Sequence, residues 1–314
     1  MKELAIATYG LTKRFEGYIA VNEIDLQVPA GEVYGLIGPN GAGKTTLIRM
    51  LATAEVPTKG EIYLHGDRLL RDDSNPRLKQ RIGYLPDDFP LYDDLTVWDY
   101  LDYFARLYLL KQPARDRRIN EVLELVQLEN KRHSIISTLS RGMKQRLSLG
   151  RTIIHEPILL LLDEPVSGLD PIARQQFRAI IKVLQEAGMT ILISSHVLSD
   201  LAELCTSVGI MELGFLVEST PLADLYQRLS RPQITISTLG KMELLQHKLS
   251  QNSLVETWSV INDRQLKLNF TGQEADCAEL LRSLILANIP VIEFQSERED
   301  LESIFLKLGH RQTS

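Results

Sequence analysis

Short apolar runs separated by polar, glycine-punctuated turns dominate the first 220 residues, and several of these runs show no alternation. Val33-Tyr34-Gly35-Leu36-Ile37 is one, and Ile158 to Leu162 and Thr190 to Ser194 are others. Continuous apolar stretches of this length, bounded by turn residues, predict strands buried on both faces. Pro171 to Ala187 lies between two of them with its apolar residues at helical spacing, and Thr45 to Leu51 follows the first in the same way. Buried strands alternating with helices predict an α/β domain with a largely parallel sheet.

From Phe89 to Ser140 the strand pattern gives way to helix. Thr96 stands where an N-cap is wanted, ahead of the apolar residues Val97, Leu101, Phe104 and Leu107. Ile119, Val122, Leu123 and Val126 recur at i, i+3, i+4 and i+7, the apolar stripe of another helix. A helical insert over about 89–140 is the simplest account. Near residue 225 the pattern changes again. ITIST, SLVETWSVI and QLKLNF read as strands, and Glu274 to Ala287 and Asp300 to Leu308 as helices. Two domains are expected, 1–225 and 226–314, the second a small α+β unit.

Composition and charge narrow the partners. The 314 residues suffice for two cores. The 35 basic against 41 acidic side chains leave a net charge of −6, without the basic footprint of a general nucleic-acid binder, so no nucleic-acid partner is expected. Cys205 and Cys277 have no metal-ligand spacing and suit a reducing compartment as buried thiols. The most apolar stretch, Leu280 to Phe294, is broken by Arg282, Asn288 and Pro290 and falls short of the ~18 residues of a spanning helix. MKELAIATYG lacks the layout of a signal peptide, so a cytoplasmic protein is expected unless a partner ties it to a membrane.

Candidate chemistry begins after the first buried strand. Gly38-Pro39-Asn40-Gly41-Ala42-Gly43-Lys44-Thr45 fits GxxxxGK[ST] between a strand and a helix. Glycines at those positions let successive N–H groups converge on phosphate oxygens, and the helix adds its positive end. Lys44 can reach the β and γ phosphates, and the Thr45 hydroxyl can ligate Mg²⁺. The strand ending Leu162-Asp163-Glu164 delivers two carboxylates at the edge where α/β sheets bind ligands. Asp163 suits the Mg²⁺ role, and Glu164 suits a base that polarises the attacking water.

Together with LSRGMKQR (139–146), SGLDP (167–171) and ISSH ending on His196, these motifs stand in one order. The chain resembles the ATP-binding subunits of ABC transporters, in the branch that pairs with separate exporter-type permeases, over residues 1 to about 230. The resemblance implies a P-loop NTPase of ABC type with a helical insert, using ATP and Mg²⁺. LSRGMKQR matches the family's signature: Ser140 caps its helix, and Ser140 and the amides near Gly142 would meet the γ-phosphate held by a second subunit. Its basic residues would then form mostly an exposed helix face. By the same resemblance Phe15 stacks on adenine, and Thr46 joins the P-loop residues in holding nucleotide. Asp170 links the two composite sites, His196 contacts the γ-phosphate and helps orient the water, and Asp87 approaches Mg²⁺ through water. A permease and a second ATP-binding subunit, identical or a close paralogue, are the implied partners, with the protein peripheral on the inner face of the membrane.

Arg141 stands where the family most often has glycine, Met143 where it has glutamine, and Asp87 where it has glutamine or glutamate. These departures bear on rate rather than on the kind of reaction. A GTPase would want NKxD, and Asn130-Lys131-Arg132-His133 lacks the aspartate. The main alternative is an ABC-type ATPase acting on non-membrane partners. Its repair and ribosome-bound forms usually carry a long coiled coil, zinc modules or a second cassette, none of which is evident here.

Overall fold

In the computed structural model, residues 3–69, 76–196, 201, 203–229 and 232–298 are described. The chain opens with β1 (Leu4–Phe15), β2 (Tyr18–Ile24) and β3 (Gln27–Pro29), then β4 (Val33–Ile37), α1 (Lys44–Leu51), β5 (Lys59–Leu64), β6 (Asp67–Arg68), α2 (Pro76–Lys79) and β7 (Ile82–Leu85). The insert supplies α3 (Val97–Leu107) and α4 (Ala114–Leu125), and α5 (Arg141–Ile153) returns the chain to β8 (Leu159–Leu162). Next come α6 (Pro171–Glu186), β9 (Thr190–Ser195), β10 (Ser207–Glu212), β11 (Phe215–Pro221) and α7 (Leu222–Leu229). The last elements are β12 (Pro232–Thr238), α8 (Met242–Ser250), β13 (Val255–Asn262), β14 (Gln265–Phe270), α9 (Glu274–Leu286) and β15 (Val291–Arg298). These elements form two units, Met1–Ala223 and Asp224–Ser314.

A six-stranded sheet of order β11-β10-β4-β9-β8-β7 forms the centre of the first unit. Its five strands from β10 to β7 are parallel, and β11 joins the edge antiparallel. Every residue of β4, β8 and β9 is buried, as continuous apolar runs covered on both faces must be. Register pairs Ile37 with Ser195 and Leu162 with Ile193, so the loops leaving β4, β9 and β8 start side by side. That juxtaposition creates the candidate site.

A second, antiparallel sheet of order β2-β1-β5-β6, with β3 also on β1, is not legible from the apolar pattern. Thr8 interrupts the strand code of β1, yet it is fully buried. Its hydroxyl donates to the Ile24 carbonyl at 2.8 Å and accepts from the Leu26 N–H at 2.9 Å.

In the insert, Thr96 caps α3, its hydroxyl accepting from the Asp99 N–H at 3.1 Å. Ile119, Val122, Leu123 and Val126 are buried as their spacing predicts. Leu107 departs from expectation: it closes α3 at 58% exposure, while Tyr100 and Ala105 fill the core beside Val97 and Leu101.

The second unit is a βαββαβ arrangement with antiparallel sheet order β13-β14-β12-β15. Ile234, Ile236, Leu266, Leu268 and Phe270 pack with Leu245, Leu249, Leu280 and Leu284 of α8 and α9. The alternating face of β14, Gln265, Lys267 and Asn269, is less buried. Helix α8 and strand β15 add to the elements expected from sequence, and the helix expected over Asp300 to Leu308 lies outside the described residues. Cys205 and Cys277 are both buried. Among the described residues no helix is long and apolar enough to cross a membrane.

Candidate active site

The loop from β4 to α1 is held by two close approaches that exclude any side chain. A Cβ on Gly38 would fall 2.2 Å from the Met211 carbonyl oxygen, and one on Gly43 would fall 2.2 Å from the Ala20 carbonyl oxygen. Gly43 has φ of 101° and Gly41 φ of 84°, in the left-handed region where glycine carries no Cβ penalty. Pro39, Asn40 and Gly41 form the exposed crest, while buried Ala42 accepts from the Gly214 N–H at 3.1 Å. Helix α1 starts at Lys44 with no side-chain cap and no acidic residue in its first turn, where Thr45 and Thr46 also lie. Its free N–H groups therefore face an anion-binding position.

Lys44 is buried at 5% exposure. Its ammonium donates to the carbonyls of Gly38 (2.7 Å) and Pro39 (3.2 Å) and stands 3.4 Å from Oε1 of Glu164. The other carboxylate oxygen of Glu164 lies 2.7 Å from Nδ1 of His196 and accepts from the His196 backbone N–H at 3.3 Å. A carboxylate only accepts, so this contact assigns a proton to Nδ1. Glu164 is thus held between a cation and an imidazole, brought together by register across residues 32 apart in sequence.

Next to it Asp163 is 1% exposed. Its Oδ1 accepts from the Ser194 hydroxyl at 2.7 Å, and that hydroxyl accepts from the Glu164 N–H at 3.0 Å. Burial pushes the Asp163 carboxyl above its usual range; the hydroxyls of Ser194 and Thr45 pull it back in part. Oδ2 is buried without a well-formed hydrogen bond, beside Thr45. An acidic oxygen with unspent acceptor capacity next to a hydroxyl fits a hard, oxygen-seeking divalent cation. Among the described residues no three His, Cys, Asp or Glu side chains cluster as a resident metal site. Such an ion would need further oxygens from a ligand. Asp87 also faces this charge: burial, then Glu164 and Asp88, push its carboxyl up, opposed by Arg141 and His196.

The remaining sequence candidates lie around this centre. Ser140 caps α5, accepting from the Met143 N–H at 3.3 Å, and Gly142 is buried against Ala173. Asp170 caps α6 through the Ala173 N–H at 2.9 Å. The half-buried Phe15 ring stacks on Tyr18 at 5.5 Å, with the Lys13 ammonium 4.9 Å from its centroid. Among the described residues no hydrogen bond or ion pair joins residues 140–146 to residues 38–45.

One expectation is corrected. The basic residues of LSRGMKQR do not form one exposed face, because Arg146 is buried at 5% exposure. Its Nη1 donates to the carbonyls of Val126 (3.0 Å) and Gln127 (3.3 Å), just beyond α4. A buried guanidinium needs such acceptors, and only the tertiary fold supplies them. Two further residues of the site, Ser194 and Tyr18, are not singled out by sequence reasoning. Ser194 sits inside the ISSH motif, which is the signal available for it, and Tyr18 pairs directly with Phe15 across the β1–β2 ladder. Two cavities of about 470 and 460 Å³ lie elsewhere, around Tyr9, Tyr63 and His65 and around Met50, Glu55 and Arg68.

Known proteins share this arrangement of motifs and fold. Residues 21–167 match the family model described as ABC transporter. The chain is 33% identical over 307 residues to the bacitracin transport ATP-binding protein of Enterococcus faecalis, covering 98% of this chain and 96% of that protein. It is 32% identical over 297 residues to the linearmycin resistance ATP-binding protein of Bacillus subtilis (strain 168), covering 93% and 94%. A solved ATP binding subunit of an ABC transporter superposes with a TM-score of 0.63 at 29% identity, over 71% of this chain and 92% of that one. The ADP conformation of the ATP-binding cassette MJ1267 gives a TM-score of 0.65 at 20% identity, over 71% of this chain and 94% of that one, which bears on the fold alone. The chain belongs to the ABC transporter family, as an ATP-binding subunit with the P-loop ATPase fold.

Proposed function

We propose that this chain is the Mg²⁺-dependent ATPase of an exporter, acting as one half of a dimer on the inner face of a membrane through a separate permease. The main support is the gathering of Lys44, Asp163, Glu164 and His196 at the ends of three neighbouring strands. Backbone N–H groups of the loop from Gly38 to Gly43 and the start of α1, with Thr46, bind the phosphates. Phe15 stacks against the base, backed by Tyr18.

Lys44 has three N–H donors. Two are spent on Gly38 and Pro39, and the third points towards the Glu164 carboxylate. A γ-phosphate draws that third donor away and releases Glu164 from its ion pair. Glu164 stays oriented by His196 and takes the proton of the attacking water. Thr45 and Asp163 would hold Mg²⁺, with Asp87 approaching it through water, and the ion would supply positive charge to offset that of the phosphate oxygens.

A second copy has support in what a single chain leaves apart. The Ser140–Gly142 helix end has the N–H groups and dipole to bind a γ-phosphate, and among the described residues it makes no hydrogen bond or ion pair with its own cradle. A partner's nucleotide would complete it, and Asp170 would link the two sites across the join. Permease docking has support in the insert, where Tyr92, Tyr103 and Leu107 leave 48%, 44% and 58% of their area exposed. Export has support in relatives named for bacitracin transport, linearmycin resistance and probable multidrug transport.

The test is sedimentation of Glu164→Gln with ATP, with and without Mg²⁺, beside the ATPase rate of the unmodified chain. Dimerisation and hydrolysis that both depend on Mg²⁺ are expected. A chain that hydrolyses without Mg²⁺, or stays monomeric with trapped nucleotide, contradicts the proposal. A polytopic membrane protein should co-purify with the chain. Stable association with soluble proteins in its place would favour the non-membrane alternative.

A further inference from the structure

Arg141 stands at the first turn of α5, one residue from Ser140, and its side chain reaches backwards along the fold. Nη2 donates to the Ser167 carbonyl at 3.1 Å. The guanidinium lies flat over Gly168: a Cβ there would fall 2.6 Å from its carbon and from both terminal nitrogens. Gly168 has φ of 66°, so the turn beneath the guanidinium suits glycine on two counts. One side chain therefore joins two segments, the start of α5 and the Ser167–Gly168 turn.

The turn matters because of what it is tied to. The Ser167 N–H donates to the Glu164 carbonyl at 3.1 Å, so the turn begins on Glu164 itself. Glu164 has φ of 47°, a left-handed conformation that a residue with a side chain adopts only when its surroundings enforce it. Fixing Ser167 and Gly168 helps enforce it. Under the shared-site reading above, on which this rests, Glu164 serves the nucleotide in its own chain while Ser140 and Gly142 serve the partner's.

We infer that Arg141 is a positioning residue coupling the two ATP sites of a dimer. It transmits closure of the Ser140–Gly142 helix end over one nucleotide to the Glu164 turn at the other. A guanidinium is suited to this because its planar fork donates to a carbonyl and lies against a flat backbone at once. A lysine could keep the donor but not the stacking. Coupling of this kind is a free energy between two occupied sites and appears as cooperativity, separately from the affinity of either site.

The experiment measures ATP hydrolysis against ATP concentration for the unmodified chain, Arg141→Ala, Arg141→Lys, Gly168→Ala and the Arg141→Ala/Gly168→Ala pair. Nucleotide binding and dimerisation are followed in the same preparations. The unmodified dimer is expected to show a Hill coefficient approaching ~2, and Arg141→Ala to bring it towards ~1 with affinity for the first nucleotide changed less than about two-fold. Arg141→Lys should recover part of the cooperativity. Gly168→Ala should resemble Arg141→Ala, and the pair should lose no more cooperativity than either alone, because both remove one contact.

If Arg141→Ala retains the full Hill coefficient in a chain that dimerises cooperatively, the coupling role is wrong and the shared site stands. If it weakens trapping of nucleotide while cooperativity persists, Arg141 binds phosphate instead and the inference is again overturned. If the unmodified chain neither dimerises with ATP nor departs from a Hill coefficient of ~1, the shared-site reading fails first and the coupling with it.

Discussion

Glu164 is the residue on which most of the site's contacts converge. Lys44 neutralises one carboxylate oxygen, His196 fixes the other, and a left-handed backbone aims the group between them. Glu164→Gln keeps the shape and removes the base, so ATP binding should persist while turnover falls by roughly 10²–10⁴-fold. Single-turnover kinetics alongside an equilibrium binding measurement would check this, and near-normal hydrolysis would remove Glu164 from the role. Asp163 gives a different signature because its cost lies in burial. Its folded carboxyl is raised above the unfolded value, so its stability contribution is full below that value and lost as pH rises through the folded one. Asp163→Asn should therefore raise the melting temperature of this unit at neutral pH while abolishing hydrolysis. Thermal unfolding of the two proteins side by side checks the direction of the shift. The gain should shrink towards zero as the pH is lowered and the native carboxyl protonates. A gain that persists unchanged in acid would contradict the burial argument.

Among the elements, those read most directly from sequence are those whose burial is simplest. Strands β4, β8 and β9 carry one unbroken apolar signal because both faces are covered. The cradle is legible because glycine spacing reports backbone geometry directly. What could not be read depends on partners far along the chain. Thr8 looks polar in sequence and is core in the fold, since β2 and its following turn supply both hydrogen bonds. His196 meets Glu164 only because β8 and β9 align at their ends. Arg146 looks like part of a basic surface and instead joins α5 to the end of α4. Arg146→Met would keep most of the apolar stem but strip the donors from two part-buried carbonyls. It should destabilise the first unit by about 1–3 kcal/mol in chemical denaturation, with Arg146→Lys recovering part. An unchanged midpoint would mean that water replaces the guanidinium at no net loss.

At the scale of the whole molecule, the proposed function turns on an active site shared between two chains. Each chain has a cradle, a pair of strand-end carboxylates and a capped helix end, and among the described residues no hydrogen bond or ion pair joins that helix end to the cradle. In the proposed dimer each copy would complete the site of the other. The most direct measurement uses two variants that damage opposite halves. Lys44→Ala removes the cation of the cradle, and Ser140→Arg puts bulk and charge at the helix end. Each alone should form dimers that are nearly inactive, since both sites carry one defect. Mixed dimers can collect both defects in one site and leave the other intact, so mixing should restore ATP hydrolysis up to the contribution of one site per dimer. Trapped nucleotide should be counted in the same samples, because strong coupling can mask recovered turnover. Recovery of occluded or hydrolysed ATP in the mixture is the predicted result. Mixed dimers that demonstrably form yet neither occlude nor hydrolyse ATP, or a monomer that hydrolyses at the full rate, would contradict a site shared between two chains.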